Sequence, residues 1–288
     1  MLSGIVLIDK APGMTSHDVV AQLRKKLSEK KIGHAGTLDP FATGLLVMGV
    51  GSGTKLLHHL FGLDKQYKAT IRLGQATSTD DLEGEIISQG SIENTFEDQI
   101  KYQIKNLTGT IQQVPSSVSA IKVEGRRAYE IARSGQEVSL PARTVDVYHF
   151  QITSDITQVG DFLDFEATID CSSGTYIRAL ARDLGAALGT GGHLRALRRT
   201  RIGEFSISDS QSVEDSDQMI SLLQVAKKIY SEVELDRDQA QSIIHGKRIV
   251  LESDQTLAAS FNGKLLAILE PVGTSYRSVT VFAEAFDG

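Results

Sequence analysis

Apolar residues change their spacing several times along this chain, and each change marks an element. Gly4 to Asp9 (GIVLID) is a short apolar run that reads as a strand, followed by the turn APG. Val19, Val20, Leu23 and Leu27 then share one helical face, which predicts a helix through Asp18 to Leu27 capped by Thr15 or Ser16. GLLVMGVG (Gly44 to Gly51) is apolar at almost every position, the pattern of a strand buried on both faces. Gly51 to Leu60 reads as a short helix or turn, and Tyr67 to Leu73 alternates as a strand. Gln75 to Gly84 is polar and loop-like. Phe96 to Leu107 returns to helical spacing, with Gly109 beyond it as a stop.

The second half repeats the mixture. Phe162 to Ile169 alternates as a strand, and a helix is predicted from Ser172 or Ser173 to Gly185. Gly189 to Gly192 is a turn leading into an arginine-rich strand. Asp209 to Val233 is acidic and polar, with one amphipathic helix near Met219 to Ile229. From Leu235 onward the runs GKRIVL, TLAASF, GKLLAILEP and RSVTVF are short and separated by turns, a small all-β pattern.

Composition narrows the class. A length of 288 residues suggests about two domains. No apolar run approaches the ~20 residues that span a bilayer. Ile5 to Ile8 is stopped by Asp9 and Lys10, so it reads as a strand rather than a signal peptide. Cys171 is the single cysteine, which excludes an intrachain disulfide and a cysteine-based metal cluster. A cytoplasmic protein is expected. The net charge of −6 counts against nucleic-acid binding globally, but phosphate recognition needs only local positive charge. Three basic clusters exist: Arg24, Lys25, Lys26, Lys30 and Lys31; Lys122, Arg126, Arg127 and Arg133; and Arg195, Arg198, Arg199 and Arg201. Each reads equally as a solvated face. Acidic residues gather elsewhere, at Asp80 to Glu85 and Glu214 to Asp217.

The densest chemical signal is GHAGTLDPFATG, Gly33 to Gly44. Gly33 and Gly36 permit backbone angles that other residues resist, and Pro40 biases Asp39 away from helical angles. A carboxylate on such a loop has a restricted direction, as positioned chemistry requires. The local grammar also admits a plainer role, with Asp39 capping a following helix.

The segment resembles the signature of the TruB family of tRNA pseudouridine synthases through Gly33, His34, Gly36, Leu38, Asp39, Pro40, Ala42, Gly44 and Leu45. GIVLIDKAPGMTSHDVV, KQYKATIRLG and CSSGTYIRALARDLG are similar to that family's N-terminal, tyrosine and arginine motifs. HGKRI and FNGKLLAI resemble parts of its C-terminal PUA-like module. The resemblance implies an α/β (α+β) fold with a mixed, largely antiparallel central sheet flanked by helices and a small C-terminal PUA-like β barrel. It implies a catalytic domain over residues 1–232, with a thumb-like RNA-gripping insertion at 115–143, and an RNA-binding domain over 233–288.

It also implies roles. Isomerising uridine breaks the C1′–N1 bond, turns the base and joins C1′ to C5. Asp39 is the expected nucleophile, toward C6 of the base or C1′ of the ribose. Arg178 is its expected ion-pair partner, and Tyr67 the stacking surface. His34 is expected to contact RNA and help hold the base out of its stack. Lys10 approaches the RNA or supports the site, Tyr176 shapes the base pocket, and Arg126 and Arg199 bind RNA. His58 and His59 read as structural. Asp81 matches an acidic family position to which no role is assigned. No cofactor and no metal are expected. The partner is tRNA, through the uridine of its T arm conventionally numbered 55, for a monomer with no obligate protein partner and no membrane association. The alternative is a non-catalytic RNA-binding protein or tRNA-folding chaperone on the same scaffold.

Overall fold

A computed structural model of the chain describes residues 2–117, 122–123, 126–127 and 140–286. The first strand, Gly4–Lys10, pairs antiparallel over its whole length with Thr43–Val50. The sheet continues in the order Gly192–Ile202, Lys65–Leu73, Phe162–Cys171, Arg143–Ile152 and Gly109–Gln113. All the neighbours along this path are antiparallel except Thr43–Val50 and Gly192–Ile202, which run parallel where Arg198 faces Thr43 and Arg199 faces Gly44. The sheet is therefore mixed and largely antiparallel, as expected. Its register sets Arg199 between Gly44 on one neighbouring strand and Tyr67 on the other.

The apolar run of Thr43–Val50 is explained by what covers it. Leu46, Met48 and Val50 pack with Val6, Ile8 and the helix residues Val19, Val20 and Leu23. Leu45 and Val47 face the other way, against Ala258, Leu265, Ile268 and Phe282 of the C-terminal module. Burying each such side chain contributes at most about 1.5–3 kcal/mol. The helix Ser16–Leu27 starts at a capping box: Thr15 Oγ1 accepts from Asp18 N at 3.1 Å, and Asp18 Oδ2 accepts from Thr15 N at 2.8 Å. On the opposite half of the sheet, Ile100 and Ile104 of helix Glu97–Asn106 and Leu180 and Leu184 of helix Ile177–Leu188 close a second core.

Several elements differ from the sequence reading. The helix after Cys171 starts at Ile177 rather than at Ser172 or Ser173. Ser172 Oγ accepts from Asp146 N at 2.9 Å on the next strand, Ser173 Oγ donates to Phe61 O at 2.6 Å, and Gly174 has φ 89°. Those serines tie strands and turns together instead of capping the helix. Gln75 to Gly84 is not an exposed loop: Gln75–Thr77 pairs with Ile86–Gln89, and Thr77, Asp80 and Asp81 are buried. The helix near Met219 shortens to Leu222–Lys227, because Ile220 bridges to Ile5.

The C-terminal module is a four-stranded open sheet, Ser231–Glu234, Leu257–Phe261, Lys264–Val272 and Ser275–Val281, rather than a closed barrel. The run GKRIVL forms no strand; Ile249 makes one isolated bridge to Tyr276. A helix, Arg237–Ile244, precedes it, capped by Asp236 and Gln239. The all-β reading from Leu235 onward missed this helix, although D-x-x-Q is a helix-start spacing. Most of the expected thumb, including Tyr129, Ile131 and Arg133, lies outside the described residues. Lys122–Val123 and Arg126–Arg127 form a short antiparallel pair.

Candidate active site

Asp39 does not cap a helix, because the strand Thr43–Val50 follows its loop. The loop is instead tied down from three sides. Ser16 Oγ accepts from Leu38 N at 2.9 Å and donates to Leu38 O at 3.2 Å. Gly13 N donates to Pro40 O at 2.9 Å. Lys10 is fully buried, and its Nζ donates to the carbonyls of Ala11, Met14 and Pro40 at 3.0, 2.8 and 3.2 Å. Burial lowers the Lys10 ammonium to about 8. Lys10 therefore supports the loop from beneath and presents no surface to RNA.

Arg199 supplies a fourth tie. It is 1% exposed, and its guanidinium donates to Leu45 O at 2.8 Å, Gly36 O at 3.0 Å and Thr37 O at 3.4 Å. Gly36 has φ 90°, in the region that favours glycine. Gly44 is required twice over: its φ is 103°, and a Cβ there would stand 2.3 Å from the carbonyl oxygen of Arg199.

Arg178 Nε lies 3.0 Å from Asp39 Oδ2, while its Nη1 lies 3.2 Å from Asp81 Oδ2 and donates to Thr79 O at 2.9 Å. Arg178 and Asp81 are buried; the Asp39 side chain is 36% exposed. Burial pushes the Asp39 carboxyl above the usual carboxylate range. The Arg178 guanidinium opposes that rise, Asp81 adds to it, and Lys10 opposes it. Asp81 is itself held by Thr79 Oγ1 and by Glu83 N, which donates to its Oδ1 at 3.1 Å.

Asp39 and Arg178 line a cavity of about 260 Å³ together with Tyr67, Lys65, Tyr176, Phe61 and Arg199. Tyr67 is 8% exposed, and burial raises its phenol, against the pull of the hydrogen-bonded Arg199. Lys65 Nζ donates to Phe61 O at 3.0 Å and Leu63 O at 2.6 Å; burial lowers it to about 8. Tyr176 is fixed through its main chain, whose N donates to Gln113 Oε1 at 2.8 Å and whose carbonyl accepts from Gln113 Nε2 at 3.1 Å.

Five of the eight residues singled out from the sequence thus line one cavity: Asp39, Tyr67, Tyr176, Arg178 and Arg199. Lys10 lies behind it. His34 sits on strand Ile32–Ala35, outside the cavity lining, with its ring edge-on to His17 at 5.7 Å between centroids. Burial lowers its imidazole. The Arg126 side chain is outside the described residues.

The third basic cluster is paired with acids where it is exposed. Arg198 pairs with Asp9 at 2.6 Å, Arg201 with Asp170 at 2.6 Å and Arg195 with Asp164 at 3.1 Å, while Arg199 is buried on carbonyls. Sequence reasoning left out Asp81 and gave Lys65 no role. The signal for both was present: each is a charged residue beside the tyrosine strand, and charges are rarely buried without a partner.

Residues 24–177 match the TruB family pseudouridylate synthase (N terminal domain), and residues 178–272 match the tRNA pseudouridylate synthase B C-terminal domain. The chain belongs to the TruB family of pseudouridylate synthases. Similar proteins named tRNA pseudouridine synthase B include those of Arthrobacter sp. (strain FB24), 47% identical over 98% of this chain and 97% of the relative, and of Paenarthrobacter aurescens (strain TC1), 45% identical over 98% and 96%. Among solved structures, one titled an H/ACA RNP bound to a substrate RNA containing 2′-deoxyuridine aligns with a TM-score of 0.71 at 23% identity, covering 97% of this chain and 84% of that one. That likeness concerns the fold. Within the TruB family frame, Asp39 and Tyr67 lie in the N-terminal match, and Arg178 opens the C-terminal one. Among the described residues no helix is long and apolar enough to cross a membrane.

Proposed function

We propose that this protein isomerises the T-arm uridine of tRNA, conventionally position 55, to pseudouridine, with Asp39 as the nucleophile. The observation that carries the reading is the Arg178 Nε to Asp39 Oδ2 ion pair, 3.0 Å long, in a cavity walled by Tyr67. A partly exposed carboxylate, whose ionised form a facing guanidinium favours, is suited to add to an electrophilic carbon of the nucleoside and later to leave. The cavity's small volume suits one nucleoside, so the uridine enters alone, everted from its stack at a cost of a few kcal/mol. Tyr67 offers its ring to the base. Isomerisation neither gains nor loses electrons, and the C5 proton leaves once C5 has joined C1′.

The names of the relatives support tRNA as the substrate. We place the catalytic unit in residues 1–232 and an RNA-binding module in 233–288, acting as a cytoplasmic monomer. The test is incubation with unmodified tRNA followed by mapping of pseudouridine. The expected product is a single pseudouridine in the T arm, absent with Asp39→Asn, which keeps the shape but removes the charge. A folded wild-type protein that binds tRNA and leaves every uridine unchanged overturns the reading in favour of a non-catalytic RNA-binding protein.

A further inference from the structure

Phe61 ends the short helix Leu57–Phe61 and lines the cavity that holds Asp39 and Arg178. It is 45% exposed. Isolated exposed apolar side chains are ordinary on a protein surface and carry no message alone. The position of Phe61 is different. Of the exposed large hydrophobic side chains among the described residues, it alone borders this cavity; Phe96, Tyr102 and Tyr148 do not.

Its main chain is also fixed from two directions. Ser173 Oγ donates to Phe61 O at 2.6 Å, and Lys65 Nζ donates to the same oxygen at 3.0 Å. Ser173 belongs to the turn before the arginine helix, and Lys65 opens the tyrosine strand. The carbonyl of Phe61 therefore joins the two walls of the cavity. Tyr67 is nearly covered inside the cavity. Of the three aromatic side chains that line the cavity, Tyr67 is buried, Tyr176 half-buried and Phe61 exposed.

In the proposed reaction one everted uridine occupies the cavity, and the nucleotide that follows it lies toward the rim. An aromatic ring there has a use that a buried ring lacks. Base–aromatic stacking tolerates any base, since every base has a π-face.

Resting on the proposed reaction, we infer that Phe61 is a second stacking platform, which takes the nucleobase adjoining the everted uridine and so contributes to substrate binding rather than to bond making. The chain has no tryptophan, so Phe61→Trp places its single tryptophan at the rim, where excitation at the red edge selects it over the tyrosines.

Two measurements test this with an unmodified T-arm hairpin of tRNA. In steady-state kinetics, Phe61→Ala and Phe61→Leu are each expected to raise KM about tenfold, as loss of one base stack does, with kcat within about twofold of wild type, while Phe61→Tyr restores KM. In the Phe61→Trp, Asp39→Asn protein, hairpin binding followed by anisotropy of labelled RNA is expected to quench the tryptophan emission over the same concentration range. Wild-type KM in Phe61→Ala, wild-type KM in Phe61→Leu, or hairpin binding that leaves the emission unchanged, each overturns the inference. None of these outcomes bears on the reaction itself, which fails only when the wild-type enzyme converts no uridine. Unchanged melting temperatures of the single variants show that the fold is intact.

Discussion

Arg178 stands 3.0 Å from Asp39 through Nε, and through Nη1 it meets a second carboxylate, Asp81, at 3.2 Å. One planar cation is thus shared by an acid that reaches the cavity and an acid that does not. The buried partner fixes the guanidinium, and the guanidinium fixes the exposed partner and opposes the rise that burial causes in its carboxyl. Asp81 touches Arg178 and does not line the cavity, so in the proposed reaction it is a positioning residue.

Asp81→Asn is expected to lower kcat by about 10- to 100-fold with KM for tRNA little changed, because the catalytic pair is misplaced while the RNA contacts persist. Arg178→Ala strips both carboxylates of their partner and leaves Asp81 buried, which costs about 3–5 kcal/mol. Urea unfolding reads the second effect directly. Arg178→Lys regains part of that stability but little of the rate, since an ammonium lacks the fork that spans two acids.

Arg199 was expected on the RNA face and is found beneath the Asp39 loop. A residue that neutralises a phosphate contributes about one unit to the slope of log affinity against log salt. Arg199→Met is expected to leave that slope unchanged while reducing kcat and melting temperature, because two carbonyls of the loop and one of the strand after it lose their donor. A slope lowered by one unit, measured by tRNA binding across a salt series, would restore Arg199 to the interface.

Gly44→Ala is expected to destabilise the protein by about 3 kcal/mol or more. A positive φ at a non-glycine residue costs about 1–3 kcal/mol, and the clash with the Arg199 carbonyl adds to it. The parallel contact between Thr43–Val50 and Gly192–Ile202 would have to open, moving the Asp39 loop. Chemical denaturation measures the loss.

His59 ties the helix Leu57–Phe61 to the C-terminal sheet: its Nδ1 is 2.9 Å from Tyr230 Oη and its Nε2 is 3.0 Å from Thr280 Oγ1. Burial, and then the adjacent His58, lower its imidazole from about 6.5 to about 4. The unfolded chain takes up a proton that the folded chain resists. Stability is therefore complete above pH ~6.5 and declines as pH falls toward 4. Because His59 is only partly buried, the loss should be about 1–2 kcal/mol. His59→Asn is expected to flatten this limb in denaturation curves taken at pH 7 and pH 5; an unchanged acid slope refutes the assignment.

Local features were legible in the sequence because they are constraints on a few consecutive residues. The capping box of Thr15 and Asp18, the strand buried on both faces and the glycine-bounded loop around Asp39 follow from side-chain and backbone chemistry within one segment. Where the reading failed, a distant partner had intervened. Ser172 gave its hydroxyl to the strand holding Asp146, so the helix began later; Ile220 bridged to Ile5, so a helix was cut short.

The sequence by itself determined that an acid, a tyrosine and an arginine of one family signature are present, and which loop holds the acid. Only the tertiary structure decided what each charge does. Sheet register set Arg199 between Gly44 and Tyr67 and beneath the loop, and packing sealed Lys10 away from solvent and brought Asp81 to Arg178. The physical reason is that a charge takes its role from which partner faces it once water is excluded, and long-range pairing, not local spacing, selects that partner.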